Sequence, residues 1–185
     1  MSQESRERKE EQPKFEIREG GPNDAVRIAE IQRDSWFTTY VNEEEGITRD
    51  DLATRFTDME ARASRWRKML EEAGSEKTHI FVVTDGDEVA GFCRVERKDG
   101  VNYIDALYLD PTQKGKGAGA KVFSEALAWL GEENPATLEV ASYNSLAIDF
   151  YKRFGFHEDG EGVPFPIVDG KIMRVMKMTR DGKKK

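Results

Sequence analysis

Between His79 and Asp110 the sequence drops helical spacing and alternates. HIFVVT, VAGFCRVER and VNYIDALYLD are three strand-like runs separated by DGDE and KDG. Asp-Gly and Gly signals of this kind mark tight hairpins, so the three runs read as an antiparallel meander. The third run stops at Asp110-Pro111, because proline has no N–H to give to a ladder.

The flanking chain has the other period. KFEIREG (14–20) reads as a short first strand. Pro22, Asn23 and Asp24 then supply helix-start chemistry, and AVRIAEIQRDSWFTTYV places Val26, Ala29, Trp36 and Tyr40 at helical spacing. GIT breaks this helix. Thr48 and Asp51 form a capping box, and one second long helix is expected to run to about Glu72, with Leu52, Phe56, Met59, Ala63, Trp66 and Leu70 on one face. After the meander come a glycine-rich loop, the amphipathic helix AGAKVFSEALAWLGEE, the strand ATLEVAS, the short helix NSLAIDFYKRFGF ended by Gly155, and one or two strands joined by VDGK. The chain of 185 residues thus reads as one α+β domain over 14–178. A charged, disordered tail (1–13) and a basic tail (179–185) flank it.

Charge narrows the function. Lys and Arg number 29 against 36 Asp and Glu, a net −7. That argues against sequence-independent nucleic-acid binding, which needs a basic face. No apolar run approaches the ~20 residues of a membrane span, and no secretory h-region opens the chain. The one cysteine, Cys93, cannot form an internal disulfide and reads as a small buried hydrophobe. These features fit a cytoplasmic protein. His79 and His157 are isolated, so no metal is expected. A monomer and a homodimer are both open, since a C-terminal strand could pair across a dimer or be covered locally.

The loop DPTQKGKGAGAKVF (110–123) carries the chemistry. Gly115, Gly117 and Gly119 alternate with Lys114, Lys116 and Ala118, and a helix follows. Glycine lets successive N–H groups turn toward a ligand, and a helix N-terminus favours an anion. The physical reading is a pyrophosphate cradle rimmed by lysines. A P-loop would need Lys-Ser/Thr, but Val122 follows Lys121. A dinucleotide fingerprint would need glycine or alanine at position 122, and would follow the first strand of a parallel unit. Both patterns fail.

A third pattern fits. DALYLDPTQKGKGAGAKVF resembles the acyl-CoA-binding motif of the GNAT superfamily of N-acetyltransferases, with Lys114 where glutamine or arginine is usual. LEVASYNSLAIDFYKRFGF resembles the second signature of that family at Asn144, Ala147, Tyr151, Gly155 and Phe156. The Trp36-x-x-x-Tyr40 pair and the later Trp66 are also similar, and the resemblance spans about 14–178. It implies a GNAT-type acyl-CoA N-acyltransferase fold, a mixed, mostly antiparallel central sheet flanked by helices. It implies transfer of an acetyl group from acetyl-CoA to a primary amine, on a small molecule or a protein N-terminus, by direct attack through a tetrahedral intermediate. A non-catalytic acyl-CoA-binding module or sensor of the same fold is the alternative.

The resemblance also implies roles. The backbone N–H groups from Gly115 through Lys116, Gly117, Ala118 and Gly119 to Ala120 would hold the CoA pyrophosphate. Leu107, Tyr108 and Leu109 would pair with the pantetheine arm in a sheet opened beside the strand at 137–141, and the N–H of Leu109 would face the oxyanion. Tyr151 would protonate the leaving thiolate; the competing role is a packed aromatic between Phe150 and Phe154. Asn144 would cap the last helix or bond the cofactor arm. Glu139, a carboxylate in an apolar strand that would be costly to bury unpaired, and Asp105, on one strand face with Tyr103, compete as general base with simple loss of the proton to water. Trp36 and Tyr40 line the acceptor side, with the core as the alternative for Trp36. The acidic run at 42–45 could attract a cationic amine or be a solvated loop.

Overall fold

The computed structural model describes residues 15–98 and 100–183; the expected N-terminal tail and the last two residues lie outside these. Strand β1 (Phe15–Glu19) leads into α1 (Ala25–Thr39), α2 (Arg49–Arg55) and α3 (Met59–Glu72). The meander follows as β2 (Thr78–Asp85), β3 (Glu88–Lys98) and β4 (Val101–Leu109). Next come α4 (Ala118–Leu130), β5 (Ala136–Ala141), α5 (Ser145–Arg153), β6 (His157–Glu161), β7 (Phe165–Val168), β8 (Lys171–Met173) and β9 (Val175–Arg180). The main sheet has the order β1-β2-β3-β4-β5-β9-β6, and β7-β8 is a separate hairpin. All its neighbouring pairs are antiparallel except β4-β5. The α+β class and the mostly antiparallel sheet between helices are as the sequence leads one to expect.

Two layers of helix cover the sheet. Phe81 and Val83 of β2 face α4 and α5, in a core that includes Val122, Phe123, Leu138 and Ile148. Ile80 and Val82, the alternate residues, face α1 and α3 with Ile28, Trp66 and Leu70. Both faces of β2 are therefore buried, which is why it reads as an unbroken apolar run. A third cluster joins Trp36, Leu52 and Phe56 to Ile167 and Met173 of the hairpin.

Two expectations change. The long second helix is two helices, α2 and α3. The capping box at Thr48 forms, with Thr48 Oγ1 accepting from the N–H of Asp51 and Asp51 accepting from that of Thr48. However, Asp58 accepts from the N–H of Ala61 at 2.8 Å and starts a new helix. The apolar stripe continues across this break, so periodicity does not reveal it. The C-terminal region holds four strands rather than one or two, and β9 runs to Arg180, beyond the expected end at 178.

Candidate active site

The site begins with a defect in the sheet. β4 and β5 are paired only at residues 102–104 with residues 136–138. Beyond that point β4 continues to Leu109 and β5 to Ala141 without pairing each other, so the sheet splits there. β4 keeps its other neighbour: the N–H of Asp110 donates to the carbonyl of Ala90 at 2.8 Å, and Leu109 stands opposite Gly91. In an antiparallel ladder, residues alternate between bonded and non-bonded pairs. Leu109 and Leu107 therefore turn their own N–H and C=O groups away from β3 and into the split. The carbonyl of Leu109 is met there by the hydroxyl of Ser35.

A bulge decides which side chains face which side. Arg94 stands opposite Ala106 and Val95 opposite Ile104, so Asp105 is the extra residue. Ile104 belongs to the α4 side, yet after the bulge Leu107 and Leu109 lie on that side, while Ala106 and Tyr108 pack toward α1 and α3. Tyr103 and Asp105 share a face, but Asp105 and Leu107 do not, as plain alternation would have put them.

On the far side of the split from α4 is a cavity of about 640 Å³. Trp36 of α1 and Tyr40 at its C-terminal cap form one wall, Asp105 and Tyr108 of β4 and Glu139 of β5 another, and Phe165 of the β7-β8 hairpin a third. Trp36 is buried and donates through Nε1 to the hydroxyl of Tyr108 at 3.0 Å; its ring meets that of Tyr40 edge-on at 4.8 Å. It is thus both core and cavity wall. Burial pushes the Tyr40 phenol well above its ordinary value, with Tyr108 and Tyr151 adding to the effect.

Tyr151 lies on α5, on the α4 side of the sheet. Its ring packs against Phe123, Phe150 and Phe156. Desolvation raises its phenol strongly, with Cys93 and Tyr108 reinforcing the shift. Tyr108 and Tyr40 belong to the cavity on the other face, so these phenols sense one another across the split. Tyr151 is thus a packed aromatic whose phenol burial keeps protonated. Cys93 is fully buried, and burial drives its thiol up as well, which makes it inert.

The two carboxylates differ. Asp105 is ion-paired with Arg94. Glu139 is exposed rather than buried, and its Oε1 accepts from the N–H of Val163 at 2.8 Å. The cost of burying an unpaired acid at 139 does not arise, because β5 loses β4 as a neighbour after Leu138 and the cavity opens beside Glu139. The acidic run is less free than supposed: Glu45 is bound to Arg174 at 2.6 Å.

The glycine loop turns at two left-handed glycines into the start of α4. Gly115 and Gly117 have φ of 78° and 96°, values that cost L side chains strain. Gly117 is the N-cap of α4, and the first helical bond runs from the N–H of Lys121 to its carbonyl. The N–H groups of Ala118, Gly119 and Ala120 are left without helical partners. A Cβ on Gly117 would meet nothing within 4 Å. A valine there would strain the backbone without meeting any protein atom. The lysine rim is smaller than expected. Lys121 is tied to the carbonyl of Phe15 and Lys114 to Thr39 at 3.0 Å. Asn144 caps α5, accepting from the N–H of Ala147 at 3.2 Å.

The model of the Acetyltransferase (GNAT) family matches residues 27–156. The chain belongs to the GNAT acetyltransferase family. This GNAT protein is thus an acyltransferase. It is 31% identical over 117 residues to the peptidyl-lysine N-acetyltransferase YjaB of Salmonella typhimurium, a match covering 58% of this chain and 76% of that one. It is similar in fold to the PaiA N-acetyltransferase of Thermoplasma acidophilum in complex with coenzyme A, with a TM-score of 0.67 at 20% identity over 91% of this chain and 99% of that one. YncA of Salmonella typhimurium with acetyl-CoA matches with a TM-score of 0.65 at 18% identity, over 92% and 95% of the two chains.

Sequence reasoning missed Arg55 and the side chain of Tyr108. Arg55 lies on the polar side of a short helix, where the usual reading is solvent. Tyr108 is in a strand whose facing depends on the bulge at Asp105, and no sequence signal marks that bulge.

Proposed function

We propose that this GNAT enzyme transfers an acetyl group from acetyl-CoA to a primary amine held in the 640 Å³ cavity. The observation that carries the reading is the split between β4 and β5, with an anion cradle at the end of β4 and the cavity and Tyr151 beside it. The solved relatives with coenzyme A and with acetyl-CoA support the donor. Relatives named peptidyl-lysine N-acetyltransferases support a primary amine as acceptor and add a lysine side chain to its candidates.

The N–H groups of residues 115–120 would hold the pyrophosphate. The Leu107 and Leu109 backbone groups facing the split would hold the pantetheine arm as an added strand, and the Leu109 N–H would meet the developing oxyanion. One such donor is typically worth about 3 kcal/mol. The amine nitrogen bonds to the thioester carbon and the C–S bond breaks. Glu139 is the better-placed base: it lines the cavity and uses only Oε1 on Val163, whereas Asp105 is held by Arg94. Tyr151, kept protonated by burial, gives its proton to the thiolate.

The test is thiol release from acetyl-CoA with a panel of diamines, amino acids, aminoglycosides and peptides, with products read by mass. Turnover of at least one amine is expected. Tight CoA binding with no amine acetylated would instead make the chain a non-catalytic acyl-CoA-binding module.

A further inference from the structure

The cavity lining is mixed in charge. Its sheet wall carries Glu96, Asp105 and Glu139 with Lys98 and Lys177, and its α2 wall carries Arg55. Lys98 is paired with Glu96 and Lys177 with Asp159, whereas Arg55 has no acidic partner among the described residues. The guanidinium of Arg55 lies 4.5 Å from the Trp36 ring and 5.0 Å from the Phe165 ring. Its Nη1 donates to the carbonyls of Pro166 and Ile167 at 2.9 and 2.8 Å. Its Nε is shielded from water and has no hydrogen-bond partner. Protein atoms close off Nε, so Nη2, which makes no hydrogen bond among the described residues, is the nitrogen left to meet a carboxylate from the cavity.

The charges behind Arg55 make matters worse. Arg62 donates to the carbonyl of Arg55 at 3.1 Å and to Gln32 at 3.2 Å, and its Nε is also buried without a partner. Desolvation lowers the pKa of both guanidiniums, and the charge of Arg65 adds to this in both. No carboxylate forms an ion pair with Arg55, Arg62 or Arg65 among the described residues, although acidic residues outnumber basic ones in the chain. Surface arginines acquire such partners easily. Arg55 is thus a charged side chain that lines the acceptor cavity without an acidic partner among the described residues.

We infer that the acceptor carries a carboxylate as well as its amine, and that Arg55 binds that carboxylate while the amine faces Glu139 and the split. This rests on the acetyltransferase reading above and adds a specificity-determining residue to it. The carboxylate could be that of a free amino acid, or an aspartate or glutamate beside a lysine in a peptide. The chemistry at Arg55 is the same for both. An acceptor with no carboxylate, by contrast, would leave Arg55 with two carbonyls and two ring faces but no anion.

The experiment compares matched acceptors in the full-length protein. One arm pairs each free L-amino acid with its α-amide; the other pairs amidated lysine peptides flanked by Glu with the same peptides flanked by Gln. The expected result is a kcat/KM about tenfold or more higher for the acid in at least one arm, the worth of one charge-assisted hydrogen-bonded pair. The arm showing the preference identifies the source. In Arg55→Gln the acid-to-amide ratio should fall toward one, mainly through KM, while the Kd for CoA stays that of the wild type. Wild-type ratios near one in both arms overturn the inference without any variant and leave the acetyltransferase reading intact. An unaltered ratio in folded Arg55→Gln overturns it too. Failure to acetylate any amine, including neutral controls, overturns both.

Discussion

Replacing Gly117 by alanine separates the cradle from the helix it starts. At φ 96° a Cβ costs about 1–2 kcal/mol if the backbone holds its conformation. Nothing lies within 4 Å of that Cβ, so no steric clash adds to the cost. Gly131, at the other end of α4, has φ 80° and equally open space. Gly131 lies at ψ 175°, a region more forbidding to L residues than Gly117 at ψ −8°, so Gly131→Ala should lose at least as much thermal stability as Gly117→Ala. They should differ in CoA binding. If residue 117 relaxes to negative φ, the N–H groups at 115–120 no longer converge, and each charge-assisted hydrogen bond lost is worth about 1.5–3 kcal/mol. Loss of one weakens binding on the order of 10- to 100-fold. Isothermal titration of CoA into the wild type, Gly117→Ala and Gly131→Ala reads this directly. Equal CoA affinity in all three, with both variants less stable, would refute the cradle.

Other outcomes follow from the same geometry. A Cβ on Gly91 would lie 2.8 Å from the Tyr108 carbonyl and 3.2 Å from the Leu109 Cα. Gly91→Ala must therefore push β4 toward the split, lowering both melting temperature and kcat; wild-type kcat in that variant counts against a role for the Leu109 backbone. Asp51 is lowered to about 2, chiefly by its bond from Lys171 of the hairpin and also by Thr48. Its contribution to stability is present above the unfolded value of about 3.9 and lost as pH falls through about 2. Melting curves of Asp51→Asn should be flatter with pH across that window, and curves parallel to wild type would exclude this linkage. Glu139→Gln should lower kcat/KM near neutral pH by about 100-fold or more and recover at high pH, where the amine loses its proton unaided. Asp105→Asn should show a smaller effect, and the reverse order would exchange their roles.

Much of the fold is legible because local chemistry and tertiary demand agree. Gly86 and Gly100, both at positive φ, turn the chain between the strands of the meander. Gly117 both turns the chain and starts α4, and Asn144 caps α5. The break between α2 and α3 is hidden because Phe56 and Met59 keep the apolar stripe in phase across it. The β7-β8 hairpin is short, and it is held by Arg55 and by Lys171 on Asp51, contacts distant in sequence. At the site, the glycine loop and Tyr151 sit in local motifs and could be found. Arg55 could not, since its importance lies in lacking an acidic partner, a fact of three-dimensional packing.

The central claim is that Tyr151 donates a proton at the split between β4 and β5. Its hydroxyl makes no hydrogen bond among the described residues, and its ring is held by Phe123, Phe150 and Phe156. Tyr151→Phe should therefore keep the melting temperature and the Kd for CoA while kcat for acetyl transfer falls on the order of 10²- to 10⁴-fold. A folded Tyr151→Phe protein that binds CoA normally and retains wild-type kcat would contradict the account.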